Sequence, residues 1–268
     1  MLSLKIGVQT ISLAKSLKGA LSIAAQMKAD AVEIDARHEL RAEVQSQTAI
    51  RQFRKMLDDL NLRLAALAFP TRRGYDNPEM LDRRVAATKE ALRLASELGA
   101  GVVVNRVGQV PSASELKEED DEASGRWNSL CEVLSDLGQF GDRQGAILTA
   151  ETGDESGEDL AHLLRSLSGG SIGVALNPGN LILADFSPLE AIAQLGSRIR
   201  YVRARDAVRQ GRSHRGSEVA LGRGSIDPPA LRAALEEHDY CGMITIERRE
   251  SHDPLLEIGQ AITYLRNL

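Results

Sequence analysis

Residues 146–177 read AILTAETGDESGEDLAHLLRSLSGGSIGVALN, and this stretch decides the fold class. It holds two short apolar runs, AILTAE and IGVALN, separated by a longer stretch with helical spacing of its apolar residues. Short runs rich in Val, Ile and Leu are typical of buried strands. A strand, a helix and another strand in this order predict two parallel strands joined by a crossover helix.

The same alternation extends over the rest of the chain. Eight apolar runs alternate with helical stretches: KIGVQT, DAVEIDA, LRLAALAF, GVVVNRV, AILTAE, IGVALN, IRYVRA and MITIE. Because no composition break or long linker interrupts them, they predict an α/β protein with a single (βα)8 TIM barrel domain over residues 1–268. An open doubly wound sheet with a second domain is the alternative, but no GxGxxG motif follows the first strand.

Helix starts are signalled between the strands. Asn77-Pro78, Asp227-Pro228 and Asp253-Pro254 each place a capping side chain before a proline, and Ser187 to Glu190 forms a capping box. The first of these predicts a helix running to Leu98. The acidic run at residues 117–123 is expected to form the solvated beginning of the fourth helix.

Composition excludes several classes of protein. A formal net charge of -5 over 268 residues does not suit a nucleic-acid partner, and nowhere do eighteen apolar residues run together as a membrane span would require. The first residues lack the pattern of a signal peptide, so a cytoplasmic location is expected. Cys131 and Cys241 have no metal-binding spacing and are expected to be small buried hydrophobes. The outer helices of such a barrel could support a homodimer.

In a (βα)8 barrel the functional residues collect where the strands end. The side chains at these ends are unusually polar. They are Glu33, Asp35, Arg37, Asn105, Arg106, Glu151, Asn177, Arg203, Arg205, Asp206 and Glu247, with Thr71 to Tyr75 after the third strand. Glu33 is either a substrate ligand or a buried carboxylate paired with an arginine inside the barrel mouth.

The ordered segments ILTAETGDE, VALNPGNLI, IRYVRARDA, VALGRGSID and MITIERRE make the sequence resemble the xylose isomerase-like TIM barrel superfamily. This group contains sugar phosphate isomerases and epimerases and the endonuclease IV type of AP endonuclease. The resemblance covers essentially the whole chain. It implies a Glu, Asp, His and Glu set that binds a divalent metal such as Mn or Mg, with the two glutamates exchanging protons with the substrate.

Carried onto this chain, the resemblance makes Glu151 and Glu247 the catalytic acid/base pair. Two positions depart from the pattern, because Asn177 stands where the Asp is expected and Arg203 where the His is expected. An arginine has only donors and a permanent positive charge, so it cannot ligate a metal. No cofactor is therefore expected. If a metal is retained, its ligands would be Glu151, Asn177 and Glu247, with rescue from His38, His214 or His252 on top loops.

A physical alternative to the metal follows from these departures. Two glutamates in one pocket repel each other, and a guanidinium on the neighbouring strand could bridge both of them. We therefore expect Arg203 to replace the metal. The remaining substrate-binding candidates lie on the other strand ends and loops: Asn177, Asn180, Arg203, Asp206, Arg72, Arg73 and Asn105. The glycine-rich segment from Arg209 to Gly224 is read as an anion nest or as a flexible lid.

Three functions are consistent with these patterns. The first is an isomerase or epimerase acting on a sugar or sugar phosphate through Glu151 and Glu247. The second is a noncatalytic carbohydrate-binding barrel that kept the cleft and lost the ion. The third, a metal-dependent AP endonuclease, requires a histidine-rich cluster. The positions where its histidines are expected hold Ala68, Phe69, Asn105, Asn180 and Arg203.

Overall fold

All eight apolar runs form strands in the computed structural model, which describes residues 4–40, 44, 46–117, 121–209 and 216–268. Two further strands lie between the seventh and eighth runs. The ten strands are β1 (Lys5–Gln9), β2 (Ala31–Asp35), β3 (Arg63–Ala68), β4 (Val102–Asn105), β5 (Ile147–Glu151), β6 (Ile172–Leu176), β7 (Ile199–Ala204), β8 (Asp206–Arg209), β9 (Gly216–Val219) and β10 (Met243–Ile246).

The strands close into a barrel with the spatial order β1-β10-β7-β6-β5-β4-β3-β2. Every pairing within it is parallel, and β1 closes the ring by pairing with both β10 and β2. The predicted (βα)8 barrel is thus confirmed. Because all eight strands run the same way, their carboxyl ends meet at one mouth.

Helices surround the barrel. They are α1 (Leu17–Gln26), α2 (Gln47–Asp59), α3 (Leu81–Leu98), α4 (Ala113–Lys117), α5 (Asp121–Gln144), α6 (Gly157–Ser166), α7 (Pro178–Leu183), α8 (Pro188–Leu195), α9 (Pro228–Glu237) and α10 (Pro254–Arg266). The predicted caps Ser187, Asp227 and Asp253 each accept a hydrogen bond from the backbone three residues on, which confirms these three helix starts. Such caps satisfy amide groups that a helix N-terminus leaves without partners.

One helix start was wrong. α3 begins at Leu81, not after Asn77, and Met80 before it adopts a left-handed conformation with φ 53°. Asn77 instead accepts a hydrogen bond from the Glu79 amide, so its side chain closes a local turn. The acidic run is also divided, since α4 ends at Lys117, α5 begins at Asp121 and residues 118–120 lie outside the described part of the chain.

The core fills the space between the strands and the helices. Leucine, isoleucine and valine side chains from both layers are buried there, with Trp127 and Phe140 of α5 packed against them in partly buried positions. Cys131 is partly buried, but Cys241 is exposed, so the expectation that both cysteines are core residues holds for Cys131 only in part and is wrong for Cys241. No helix in the described ranges has the length and apolarity that crossing a bilayer demands.

An antiparallel hairpin follows β7 at the mouth of the barrel. Its strands β8 and β9 pair from Asp206 opposite Val219 to Arg209 opposite Gly216. Sequence analysis missed this hairpin because its glycines and arginines lack strand periodicity. Residues 210–215, including His214, lie outside the described residues.

Candidate functional site

Four strands that are neighbours in the barrel bring four polar side chains together. Glu151 ends β5, Asn177 follows β6, Arg203 lies on β7 and Glu247 follows β10. The Asn177 Nδ2 group donates to Glu151 Oε1 at 2.8 Å and to Glu247 Oε2 at 3.0 Å. The side chains of Glu151, Arg203 and Glu247 are each at most 10% exposed. The two glutamates therefore share one buried amide donor.

The Arg203 guanidinium lies between three carboxylates. Its Nη1 donates to Glu151 Oε1 at 2.6 Å, while Nε and Nη2 donate to the two oxygens of Glu33 at 3.0 and 2.8 Å. Glu247 Oε2 is 3.9 Å from Nη1. The expected bridge between Glu151 and Glu247 is thus a hydrogen bond on one side and a longer ion pair on the other. Glu33 takes the bidentate contact, so the second interpretation of this residue, a buried carboxylate paired with an arginine, is correct.

We name Glu33, Glu151, Arg203 and Glu247 the central cluster. Within it, Glu33 is fully buried and also accepts from Gln9 Nε2 at 2.7 Å. A planar guanidinium held by a bidentate contact has little freedom to rotate. The bidentate contact with Glu33 therefore fixes the orientation of the Arg203 guanidinium toward Glu151.

Two glutamates of the central cluster, Glu151 and Glu247, have opposite pKa shifts. Burial acts to raise the pKa of Glu151, but the charges of Arg203 and Arg106 and hydrogen bonds from Asn177 and Arg203 outweigh it, so this pKa is lowered. Burial raises the pKa of Glu247 and outweighs the charges of Arg203 and Arg205, which act to lower it, while the nearby carboxylates of Glu151 and Glu33 add to the rise. One carboxyl is held ionised while the other tends to keep a proton. Carboxyl pairs separated in this way can act as base and acid.

Asn180 joins the site through Glu151. Its Nδ2 donates to Glu151 Oε1 at 3.2 Å, and its Oδ1 accepts from Arg205 Nη1. Arg205 then donates to Glu218 Oε2 at 2.8 Å. Glu218 also accepts from Arg248 Nη1 at 2.8 Å and from the Arg249 amide.

Arg248 in turn donates through Nε to Glu257, at 2.5 Å from its Oε2. We name Arg205, Glu218, Arg248 and Glu257 the outer cluster. It ties β9 of the hairpin to the loop after β10 and to α10. Burial acts to raise the pKa of Glu218, but hydrogen bonds from Arg248 and the backbone, with the charge of Arg205, lower it overall.

Several predicted site residues lie apart from the central cluster or have other partners. Asn105 is buried, with Oδ1 accepting from the Thr71 amide at 3.1 Å and Nδ2 donating to the Tyr75 hydroxyl at 2.9 Å. It thereby fastens the loop after β3. The Asp206 carboxylate accepts from the amides of Ala207, Gly222, Gly224 and Ile226. Asp206 therefore fastens the loop between β9 and α9, and its contacts use amides of Gly222 and Gly224 that the anion-nest interpretation needs.

Arg72 and Arg73 are exposed and line a cavity of about 630 Å³ beside α3. Residues of α3, together with Ala36, Arg37 and Phe69, form its walls, while Glu151, Arg203 and Glu247 are not among its lining residues. Arg73 forms an ion pair with Glu79. The structure therefore does not bring these two arginines to the central cluster.

Two arginines that were not among the predicted catalytic or substrate-binding residues contact the central cluster. Arg106 Nε lies 3.8 Å from Glu151 Oε2, and Arg249 Nε lies 3.2 Å from Glu247 Oε1. Arg106 is the residue after β4, and its place among the polar strand-end residues could have indicated its contact with Glu151. Arg249 lies three residues after β10, two positions beyond the strand-end residue Glu247.

Two of the three histidines considered as replacement metal ligands, His38 and His252, are exposed and lie apart from the central cluster, and the third, His214, lies outside the described residues. His38 pairs through Nδ1 with Asp35 at 2.9 Å. Within the described ranges, no group of three or more His, Cys, Asp or Glu side chains is arranged to hold a metal ion.

Comparison with known proteins places this barrel in a family. The model of the xylose isomerase-like TIM barrel family matches residues 21–268, and the chain belongs to that family. A xylose isomerase domain protein from Planctomyces limnophilus has the same fold with a TM-score of 0.84 and 26% identity, covering 99% of this chain and 97% of that one.

Solved structures that are similar at lower identity include two sugar epimerases. D-psicose 3-epimerase from Clostridium cellulolyticum H10 matches with a TM-score of 0.77 and 14% identity over 98% of this chain and 99% of its own. The 3-keto-D-glucoside 4-epimerase of E. coli matches with a TM-score of 0.77 and 16% identity over 99% and 100%. At these identities the likeness shows the fold. Inosose dehydratase from Bacillus velezensis is 26% identical over 152 residues, which span about half of each chain.

Proposed function

We propose that this protein is a sugar isomerase or epimerase-like enzyme that moves a proton at a carbon next to a carbonyl group. The proposal rests on one observation: two buried glutamates, Glu151 and Glu247, lie on either side of the Asn177 amide and beside the Arg203 guanidinium. Epimerisation beside a carbonyl and dehydration of a keto polyol begin with the same proton removal. The sugar epimerases and the dehydratase among the similar proteins agree with that step.

The proposed roles follow from the charges. Glu151, whose pKa is lowered, is ionised and can accept the proton, while Glu247, whose pKa is raised, can hold one for delivery to the other side of the substrate. The negative charge that develops on the carbonyl oxygen needs a donor. A guanidinium has five N–H groups, and three of those of Arg203 are used by Glu33 and Glu151. The remaining N–H groups are available to the substrate oxygen.

In this proposal Arg203 takes the place of the divalent metal that the family resemblance implies. The residues present do not fit such an ion. Asn177 directs its Nδ2 donor at both glutamates, and the Arg203 Nη1 lies 2.6 Å from Glu151. A divalent cation between these carboxylates would meet a permanent positive charge and a donor instead of oxygen and nitrogen ligands. No step of the proposed reaction therefore uses a metal.

A noncatalytic carbohydrate-binding barrel is the second candidate. One observation favours it: the central side chains hydrogen-bond mainly to one another and those of Glu151, Arg203 and Glu247 are at most 10% exposed. In that case sugars would bind above the central cluster without losing a proton. Exchange of a carbon-bound hydrogen distinguishes the two functions, because binding alone cannot cause it.

The experiment incubates the protein in deuterium oxide with ketohexoses, their phosphates and an inosose, and follows the loss of the proton beside the carbonyl by NMR. We expect exchange with at least one of these compounds, decreasing by about 100-fold or more in Glu151→Gln and in Glu247→Gln. The exposed Glu158→Gln on α6 is the matched control and should keep the wild-type rate. Binding of a compound with no exchange at any pH would support the noncatalytic barrel instead.

A further inference from the structure

The two rim arginines, Arg106 and Arg249, bracket the part of the mouth that carries the central glutamates. In the barrel order, β5, β6, β7 and β10 are consecutive, and β4 precedes them. Arg106 directly follows β4, and Arg249 follows β10 by three residues. The side chains of Glu151 and Glu247 therefore lie within the arc that these two arginines bound. A ligand that reaches both glutamates passes between two positive charges.

The rim arginines are much more accessible than the residues below them. The exposed fractions of their side chains are 51% for Arg106 and 47% for Arg249, compared with 6% for Arg203. Each faces a different glutamate, at 3.8 Å from Glu151 and 3.2 Å from Glu247. Each half-exposed guanidinium thus lies beside one of the two buried carboxylates.

Neither rim arginine has its donors filled by the described part of the chain. Arg106 donates from Nη1 to the exposed Asp154, and Arg249 donates weakly from Nε to Gln9 at 3.5 Å. The neighbouring Arg248, by contrast, is nearly buried and donates to both Glu218 and Glu257. Adjacent arginines thus differ in their environment. One is enclosed in the outer cluster, and the other presents its guanidinium to the mouth.

The rim arginines and the buried glutamates below them, which we call the rim level and the inner level, differ in chemistry. Arginine has no acceptor and stays charged, so the rim offers only cationic donors, and these match a carboxylate or a phosphate best. The buried level offers carboxylate oxygens, which accept from hydroxyl groups, and the ionised Glu151 there repels an anion. A bound molecule is therefore oriented with any anionic group at the rim and its hydroxyl groups inward.

We propose that Arg106 and Arg249 select a substrate that carries a compact oxyanion, a carboxylate or a phosphate, on a polyhydroxylated carbon chain. This inference rests on the proposed function for its site and specifies the substrate class of that site. A neutral sugar fills only the inner level. The acid or phosphate ester of the same sugar fills both.

The test compares matched sugars by calorimetry and thermal shift: a neutral hexose, its uronate and its 6-phosphate, across several hexoses, with inorganic phosphate and acetate as anions alone. We expect the anionic members to bind at least about 10-fold more tightly than their neutral counterparts. A preference between uronate and phosphate then identifies which oxyanion is recognised. Arg106→Gln and Arg249→Gln should each weaken binding of the anionic sugar by about 10-fold and weaken binding of the neutral sugar much less.

Arg143→Gln, an exposed arginine on α5, is the control and should leave both affinities unchanged. Equal affinity for neutral and anionic sugars would overturn the inference, as would no anionic member binding at millimolar concentration or equal weakening of both classes in the rim variants. These outcomes are separate from the exchange experiment. Anion-selective binding without exchange would reject the proposed reaction and keep the inference, while exchange on neutral sugars alone would do the reverse.

Discussion

The central and outer clusters both bury arginine beside glutamate, yet they compensate charge differently. In the outer cluster Glu218 has two arginine partners and backbone amides, and its pKa is lowered. In the central cluster three carboxylates share Arg203, and the pKa of Glu247 is raised. A fully compensated cluster fastens one segment to another. An undercompensated one leaves a carboxyl able to hold a proton, which is what proton transfer requires.

The largest effect is expected from removing the central cation. Arg203→Gln leaves the buried carboxylates of Glu33, Glu151 and Glu247 without their guanidinium, which we expect to cost about 3–5 kcal/mol in the free energy of unfolding at pH 7. Exchange of the substrate's carbon-bound hydrogen should be lost as well. Because the carboxylates of the variant would be protonated more readily, its deficit should shrink between pH 7 and pH 5. Urea unfolding at both pH values measures this, and a variant as stable as wild type at pH 7 would contradict the account.

A smaller effect is expected from the outer cluster. Glu218→Gln removes one charge from a compensated group, and we expect a loss of about 2–4 kcal/mol at pH 7. Because the folded pKa of Glu218 is lowered, its stabilisation is present above the ordinary glutamate pKa of 4.5 and is lost as the pH falls through the folded value. The deficit of the variant should therefore shrink below pH 4.5.

The exchange assay separates the two clusters. Glu218→Gln should retain measurable exchange, since Glu218 does not contact Glu151, Arg203 or Glu247 in the described hydrogen bonds. A complete loss of exchange in a folded Glu218→Gln protein would show that the outer cluster belongs to the reactive site.

Glu155 is a buried carboxyl that belongs to neither cluster and has no arginine hydrogen-bonded to its buried Oε1 among the described residues. Burial, with the nearby charge of Asp154, raises the pKa of Glu155 from 4.5 to about 8, and its Oε1 is buried without a hydrogen-bond partner among the described residues. A raised folded pKa means that wild-type stability falls as the pH rises from 4.5 through about 8. Glu155→Gln lacks this loss. Its stability relative to wild type should increase by about 1–3 kcal/mol from pH 5 to pH 9, measured by thermal and urea unfolding.

The matched control for this prediction is Glu158→Gln, an exposed residue in the first turn of α6, three positions after Glu155. Its difference from wild type should stay constant between pH 5 and pH 9. If Glu155→Gln also showed no pH dependence, Glu155 would be ionised in the folded protein and the buried environment assigned to it would be wrong.

The fold was predictable because each strand carries its own signal. All eight apolar runs became barrel strands, and Ser187, Asp227 and Asp253 capped the expected helices. The hairpin of β8 and β9 was missed, since the glycines and arginines of its sequence lack strand periodicity. The start of α3 was missed because Asn77 turns the chain locally before Met80.

The site was predictable at the level of strand ends and not at the level of partners. Consecutive strands bring Glu151, Asn177, Arg203 and Glu247 together, as their positions in the sequence indicate. The choice of Glu33 as the bidentate partner of Arg203 depends on reach across the barrel interior, which periodicity does not encode. Asn105 and Asp206 were selected as ligands because they lie at or just after the ends of predicted strands. Their hydrogen bonds show that they fasten loops instead.

The central claim is that the Arg203 guanidinium supplies the positive charge that a metal would otherwise supply. The most direct measurement is the metal content of protein purified without chelator, followed by calorimetric titration with Mn²⁺ and thermal unfolding of the titrated sample. The account predicts no stoichiometric ion, no heat of specific binding and no increase in melting temperature. One equivalent of stabilising Mn²⁺, lost in the Glu151→Gln and Glu247→Gln double variant, would contradict it.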